Sequence, residues 1–281
     1  MTITDEPLPR VAHRQLIHRT RGSAHGMITR LMSPGDVGEL VKPFVFLDLF
    51  DNGGRPFSGF GLHPHSGIAT LTYIAQGSAA YEDTNGATGI LRAGGVEWMR
   101  AGKGVWHGGG AGDPEPTRGF QLWIALPPDL ELGPSVSLYQ GVDDIPQVGP
   151  AKVLLGTYGG TSNAIEAPAS ITYLAVSLRA GERWRYEPAP DHDVLWAALG
   201  KGRVNVPASV DHGEMIVFEP GAQAVEFVAE EDAEFVLGSA TAHRHDLVLG
   251  YYSVHTSEAA LDTGEARIRE IKRDLQQQGR L

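Results

Sequence analysis

His63-Pro64-His65-Ser66-Gly67 runs directly into Ile68-Ala69-Thr70-Leu71-Thr72-Tyr73-Ile74-Ala75, which stops at Gln76-Gly77. Short, mostly apolar runs that end in glycine turns are strand signals. On an extended chain, residues two apart point to the same side, so His63 and His65 present both imidazoles to one place. Pro64 lacks an amide hydrogen and suits a strand start or an edge.

Working outward, the same punctuation continues on both sides. Phe44 to Phe50 reads as a strand ending at Asp51-Asn52-Gly53-Gly54. Ala79 to Asp83, Gly89 to Arg92, Val96 to Arg100 and Gly119 to Leu126 follow, separated by Asn85-Gly86, Gly94-Gly95 and Gly102 to Gly104. Asn85-Gly86 is the pair a type I′ hairpin turn prefers. No helical period appears in this half, so it reads as a small antiparallel barrel or sandwich.

Pro127-Pro128 closes that half, and Gly133 to Pro150 reads as a crossing linker. The pattern then restarts with Val153 to Tyr158, Ile171 to Leu178, Arg183 to Glu187, Val194 to Leu199, Glu214 to Phe218, Val225 to Val228 and Glu234 to Leu237. Leu71 to Gly77 can be laid on Leu195 to Gly200, and Gly95 to Gly102 on Gly213 to Gly221, so the unit is a duplicated small barrel. The overlay puts the places of His63 and His65 near Tyr186 and Pro188, which confines any metal site to the first barrel. Ser257 to Leu261 and Ala266 to Gln278 read as helices, the second with Ile268, Ile271 and Leu275 on one face that should cover a barrel wall. The expected organisation is all-β: barrels over residues 1–132 and 133–255, then a helical tail over 256–281.

Composition bounds the function classes. Hydrophobic residues are 42% of the 281-residue chain, enough for packed cores. The formal net charge of -11 opposes direct contact with nucleic acid or an anionic membrane. Arg10, Arg14, Arg19 and Arg21 are the exception in sign, and read as the solvated face of a surface strand. No cysteine is present, which rules out disulfides, thiolate metal sites and cysteine nucleophiles. No run approaches the roughly twenty apolar residues of a membrane helix. A cytoplasmic location is the expectation.

His107 lies in Gly102-Lys103-Gly104-Val105-Trp106-His107-Gly108-Gly109, two strands beyond the His63/His65 pair, where a small barrel brings the chain back across its interior. Three neutral imidazoles suit Fe(II), Cu, Ni or Zn and leave positions open for water and substrate. A buried histidine bonded to a backbone carbonyl is the plainer reading of His107 alone. Asp113 and Glu115 read as solvated acids. Glu97 faces opposite to Val96 and Trp98, with the direction unsettled. Gln121 is a candidate pocket group, and Trp98, Trp106 and Trp123 read as core or pocket wall. His243-Arg244-His245 copies the spacing but reads as surface, and His192, His212 and His255 are isolated. Gly108-Gly109-Gly110 has no following helix with which to bind phosphate.

The ordered set FVFLDLF, HPHSGIATLTYIAQG, EDTNG, GGVEWMRAGKGVWHGG and GFQLWIALP, with GYYSVHTSEAALDTGE near the end, resembles the pirin family of bicupins over nearly the whole chain. The resemblance implies two cupin barrels and a metal in the first, held by His63, His65 and His107. It implies Fe(II) first, with Ni, Cu, Zn or Mn as alternatives, and quercetin 2,3-dioxygenase-type chemistry on a polyphenolic ligand. The alternative is a non-enzymatic regulatory or binding protein that acts through a protein partner, with weak or absent metal because Gly109 replaces the family glutamate. The chain departs from the family pattern at Gly109 and Ala69, where the family carries glutamates. It departs also at Tyr81, where many members have histidine, and at Gly95, where they have aspartate. Without the anionic ligand at 109, metal affinity and oxygen chemistry should weaken.

Overall fold

The computed structural model describes residues 14–55, 59–113 and 115–281. In chain order the first half contains β1 (Leu16–Thr20), β2 (Ser23–His25), β3 (Ile28–Met32), α1 (Val37–Val41), β4 (Phe44–Asp51), β5 (Phe60–His65) and β6 (Ile68–Gln76). It continues with β7 (Ser78–Asp83), β8 (Thr88–Arg92), β9 (Val96–Arg100), β10 (Val105–Gly109), β11 (Arg118–Ala125) and β12 (Val136–Gln140). The second half contains β13 (Gln147–Val148), β14 (Ala151–Tyr158), β15 (Thr161–Ser162), β16 (Ile171–Leu178), β17 (Arg183–Tyr186), β18 (Val194–Lys201) and β19 (Arg203–Asn205). It ends with β20 (Ser209–Asp211), β21 (Met215–Phe218), β22 (Val225–Ala229), β23 (Ala233–Ala240), β24 (Val248–Leu249), β25 (Val254–His255) and α2 (Glu258–Gln277). The fold is mostly β, as the turn punctuation indicates.

The duplication is visible in strand order. One large sheet runs β12-β9-β6-β11-β4-β3-β2 and the other β1-β21-β18-β23-β16-β14-β13, with β15 added at β14. Each is backed by a small sheet, β5-β10-β7-β8 in one half and β17-β22-β19-β20 in the other. The two end strands are exchanged along the chain. β1 comes before the first barrel yet pairs β21 of the second, while β12 leaves the expected linker to pair β9 of the first. The arginine arm is accordingly more than a solvated face. Arg14 is buried and donates to the carbonyls of Glu219 and Asp193, and Arg19 pairs with Glu214. Arg10 lies outside the described residues.

Strand alternation sorts the side chains into two compartments. On β6 and β11, Ala69, Leu71, Tyr73, Phe120, Leu122 and Ile124 join Leu154, Tyr173, Trp196 and Val236 in one core shared by the two barrels. The opposite face of the same strands carries Thr72 and Gln121, which look into the first barrel. The second barrel fills its interior with Trp184, Tyr186, Phe218, Phe227 and Phe235.

Two local expectations change. The Asn85-Gly86 hairpin is not a type I′ turn, because Gly86 has φ +96° but Asn85 does not enter the left-handed region. Asp83 instead organises a longer loop, its Oδ1 accepting from the amides of Asn85 and Ala87. The tail is one helix rather than two, capped by Ser257, whose side chain accepts from the Ala260 amide. Gly264 keeps helical geometry and allows close approach: a Cβ there would lie 2.5 Å from both Ser66 Oγ and His255 Nε2. Helix α2 lies on β10, with Ile271 and Leu275 packed on Trp106 and the Trp106 indole donating to the Ile268 carbonyl at 2.9 Å. Burying each such aliphatic side chain contributes about 1.5–3 kcal/mol.

Candidate metal centre

Strands β5 and β10 are antiparallel neighbours, and their register sets His63 directly opposite His107. His65, one alternation further along β5, faces the same way. The three rings come together with centroids 4.5–5.0 Å apart, and one ring nitrogen of each lies within 4.8 Å of the others.

Each imidazole is oriented from behind through Nδ1. His63 Nδ1 donates to the Gly61 carbonyl at 2.8 Å, His65 Nδ1 to the Tyr252 carbonyl at 3.0 Å, and His107 Nδ1 to Glu97 Oε1 at 3.0 Å. With Nδ1 engaged, Nε2 is the free nitrogen on every ring, and the buried Nε2 atoms of His65 and His107 have no protein partner. A buried nitrogen lone pair left without a donor is costly. These two buried nitrogens, grouped with a ring nitrogen of the half-buried His63, fit a metal ion, and outer hydrogen bonds of this kind fix the tautomer a metal needs. Burial, reinforced by the neighbouring His107, lowers the His63 pKa to about 4. Burial, with His63 and His107 adding to it, holds His65 well below the ordinary imidazole range. Both rings are therefore neutral near pH 7, the form that ligates.

Glu97 answers the question its sequence position left open. It points inward from β9, while Val96 and Trp98 face the shared core. Its second oxygen accepts from Thr72 Oγ1 at 3.0 Å. Burial opposes its charge, but the charge and hydrogen bond of His107 outweigh that and hold the carboxyl below its usual value. Glu97 thus orients His107 and stands outside the converging nitrogens, since it is not among the grouped donor atoms.

The two departures from the family pattern are unequal. Ala69 sits in the core between the barrels, on the face of β6 turned away from the histidines, so a carboxylate there would not reach them. Gly109 is at the site, where β10 comes so close to β7 that a Cβ on it would lie 1.8 Å from the Ala80 carbonyl oxygen. No side chain fits that position without moving β7. Gly95 packs on the Gln140 carbonyl, at 2.8 Å from an added Cβ. Tyr81 lines the cavity and stacks on Tyr139 with ring centroids 3.7 Å apart.

The cavity beside His63 and His107 is bounded by Phe50, Phe60, Tyr81, Leu91 and Gln121, among others, and its free space is about 40 Å³. That holds a few waters. Gln121 is therefore a wall residue, rather than the outward-facing glutamine more common on a strand. Trp123 packs edge-on against His65 at 4.8 Å, and Trp98 and Trp106 are core. Asp113 pairs with Arg92 at the surface, and Glu115 is exposed. His243 and His245 lie beside one another without joining a metal-type group. His212 Nδ1 donates to the Gly200 carbonyl at 2.9 Å, and His192 is bonded to Ser170 and Ser239. His255, read as isolated, is instead buried and bonded to Ser66 and Glu131. The sequence reading missed Gly61, Thr72 and Tyr252. Backbone carbonyls carry no residue signature, and Tyr252 is 187 positions from His65.

In the second barrel, β17 and β22 repeat the β5–β10 ladder, and aligning the first pairs puts Trp184, Tyr186 and Phe227 where His63, His65 and His107 stand. The sequence overlay was two residues out of register, and aromatic packing occupies that place.

The family model described as Pirin matches residues 26–124. A pirin-like protein of Caulobacter vibrioides is 33% identical over 229 residues, 78% of this chain and 82% of the relative. Among solved structures, a quercetin 2,3-dioxygenase from Acinetobacter baumannii has a TM-score of 0.83 at 22% identity, covering 93% of this chain and 98% of its own. The bacterial pirin YhhW from Escherichia coli, in complex with nickel(II), has a TM-score of 0.63 at 19% identity, covering 82% and 98%. The structural likenesses carry the fold, and the length and identity of the sequence match carry the relationship. The chain belongs to the pirin family.

Proposed function

We propose that the first barrel holds a divalent transition metal on Nε2 of His63, His65 and His107, Fe(II) before Ni, Cu, Zn or Mn. We propose further that the protein is an oxygenase of the quercetin 2,3-dioxygenase type acting on a small polyphenol. The observation that carries the metal reading is that all three Nδ1 atoms are engaged, leaving the Nε2 atoms free at one point. A bound metal would supply Lewis acidity and a route for electrons to dioxygen.

The chain's own residues supply orientation and charge. Among the described residues Glu97 is the carboxylate hydrogen bonded to one of the three rings, and it sits behind His107, so a dication's charge is only partly offset. Such a centre attracts an anionic oxygen, as in a flavonol ionised at its hydroxyl. Glu97 accepts from His107 through one oxygen and from Thr72 through the other, which makes it an orienting group behind His107. Phe50, Phe60 and Tyr81 offer apolar and stacking surface to an aromatic ring.

The second reading, a non-catalytic pirin that binds metal and acts through a protein partner, is favoured by the cavity of about 40 Å³. Small-molecule sites usually span about 300–1,000 Å³. A flavonol enters only if wall residues move. Anaerobic Fe(II) titration followed by oxygen uptake with quercetin separates the readings. Stoichiometric metal with uptake supports the oxygenase, metal without uptake supports the second reading, and no metal overturns the ligand assignment. His107→Ala should abolish metal binding, and unchanged metal content in that variant would also overturn it.

A further inference from the structure

The segment between β24 and β25 crosses the chain at His65-Ser66-Gly67. Ser66 and Ser253 form an isolated parallel bridge, and a Cβ on Gly67 (φ +72°) would lie 2.0 Å from the Val254 carbonyl oxygen. The strap thus presses on the backbone beside a proposed ligand. At its turn stands Tyr252, the one non-glycine residue among those described with a left-handed backbone (φ 57°). Such a conformation costs free energy for a bulky residue and persists only where its surroundings enforce it.

The surroundings that enforce it are buried and polar. Ser66 Oγ is hydrogen bonded to Ser253 Oγ at 2.8 Å and to His255 Nε2 at 3.0 Å. His255 Nδ1 donates to Glu131 Oε2 at 3.0 Å, and Glu131 also accepts from the Thr256 amide at 2.8 Å and the Thr256 hydroxyl at 2.6 Å. Gly264 of α2 closes over the group. Ser66, His255 and Glu131 have the connectivity of a hydrolytic triad, but Ser66 is 0% exposed and no substrate carbonyl can reach it. What the network does touch is the strap, and the strap's Tyr252 carbonyl accepts from His65 Nδ1 at 3.0 Å.

We infer that this C-terminal strap is a positioning element of the first barrel's metal site: the Tyr252 carbonyl holds His65 in its Nδ1–H tautomer with Nε2 facing His63 and His107, and Ser66, His255 and Glu131 hold the carbonyl in place. The inference rests on the proposed three-histidine metal site. It makes a segment beyond the second barrel part of the first barrel's chemistry.

The test uses the full chain, labelled with 15N-histidine, and cobalt(II) as the probe. In the metal-free wild type, His65 should show a single Nδ1–H tautomer. Glu131→Gln should turn it into a mixture and raise the cobalt(II) dissociation constant roughly ten-fold, the scale of losing an outer partner of a metal ligand. Ser66→Ala, which removes one link and leaves no buried charge, should shift both readouts the same way by a smaller factor, and decides the matter if Glu131→Gln fails to fold. Folded Glu131→Gln protein with wild-type tautomer and affinity overturns the inference. Wild-type protein that takes no cobalt(II) removes the metal reading, while the tautomer comparison still decides whether the strap orients His65.

Discussion

Restoring the missing family carboxylate by Gly109→Glu should damage the protein rather than repair its site. A Cβ at 109 would lie 1.8 Å from the Ala80 carbonyl oxygen and 2.7 Å from its carbon, so the clash is with backbone, not with a side chain that could turn away. Relief requires β7 to retreat from β10, where His107 opposes Asp83 and Gly108 opposes Glu82. Overpacking costs typically about 1–3 kcal/mol, and a backbone clash in a sheet belongs at the upper end. For a chain of this size about 3 kcal/mol lowers Tm by roughly 6–12 °C. Gly109→Ala should show most of that loss, because the Cβ alone makes the contact. Calorimetry gives Tm, and cobalt(II) titration gives affinity, expected to be no tighter than wild type. A Gly109→Glu protein with wild-type Tm and tighter cobalt(II) binding would refute the reasoning, because it would mean that the strands part easily and the fourth ligand is merely absent.

Other outcomes follow from the same contacts. Glu97→Gln should weaken cobalt(II) binding by about 10–100-fold, since the group that orients His107 loses its charge. Phe227→Ala should cost about 3–5 kcal/mol in urea unfolding while leaving cobalt(II) affinity unchanged, because the second barrel's aromatic cluster is packing alone. Without metal, the protein should lose stability as pH falls from about 6.5 toward 4. His63 and His243 have folded-state pKa values of about 4, below the unfolded value, so the unfolded chain binds more protons in that window. Unfolding midpoints that stay flat from pH 6.5 to 4.5 would contradict this.

Much of the first barrel was legible because its information is local. Glycine turns and short apolar runs marked β6, β9 and β11, and the HxH spacing put His63 and His65 on one side of a strand. The direction of Glu97 was not legible, because alternation fixes which residues share a face and leaves open which compartment that face looks into. Ala69 shows the same limit from the other side: a departure that looked functional by position lies in the core between the barrels. His255 looked isolated because its partners Ser66 and Glu131 lie 189 and 124 residues away.

Residue type and period put His63 and His65 on one side of a strand, point to the duplication and exclude thiols, and the family resemblance carried in the sequence added His107. Tertiary structure alone decided three further things: the exchange of β1 and β12 between sheets, the closeness of β7 that excludes a side chain at Gly109, and the strap carbonyl behind His65. Each depends on distances between segments far apart in the chain, set by how the two barrels and the tail pack. The histidines could be found in the sequence, but the groups that orient them and the backbone that limits them to three could not.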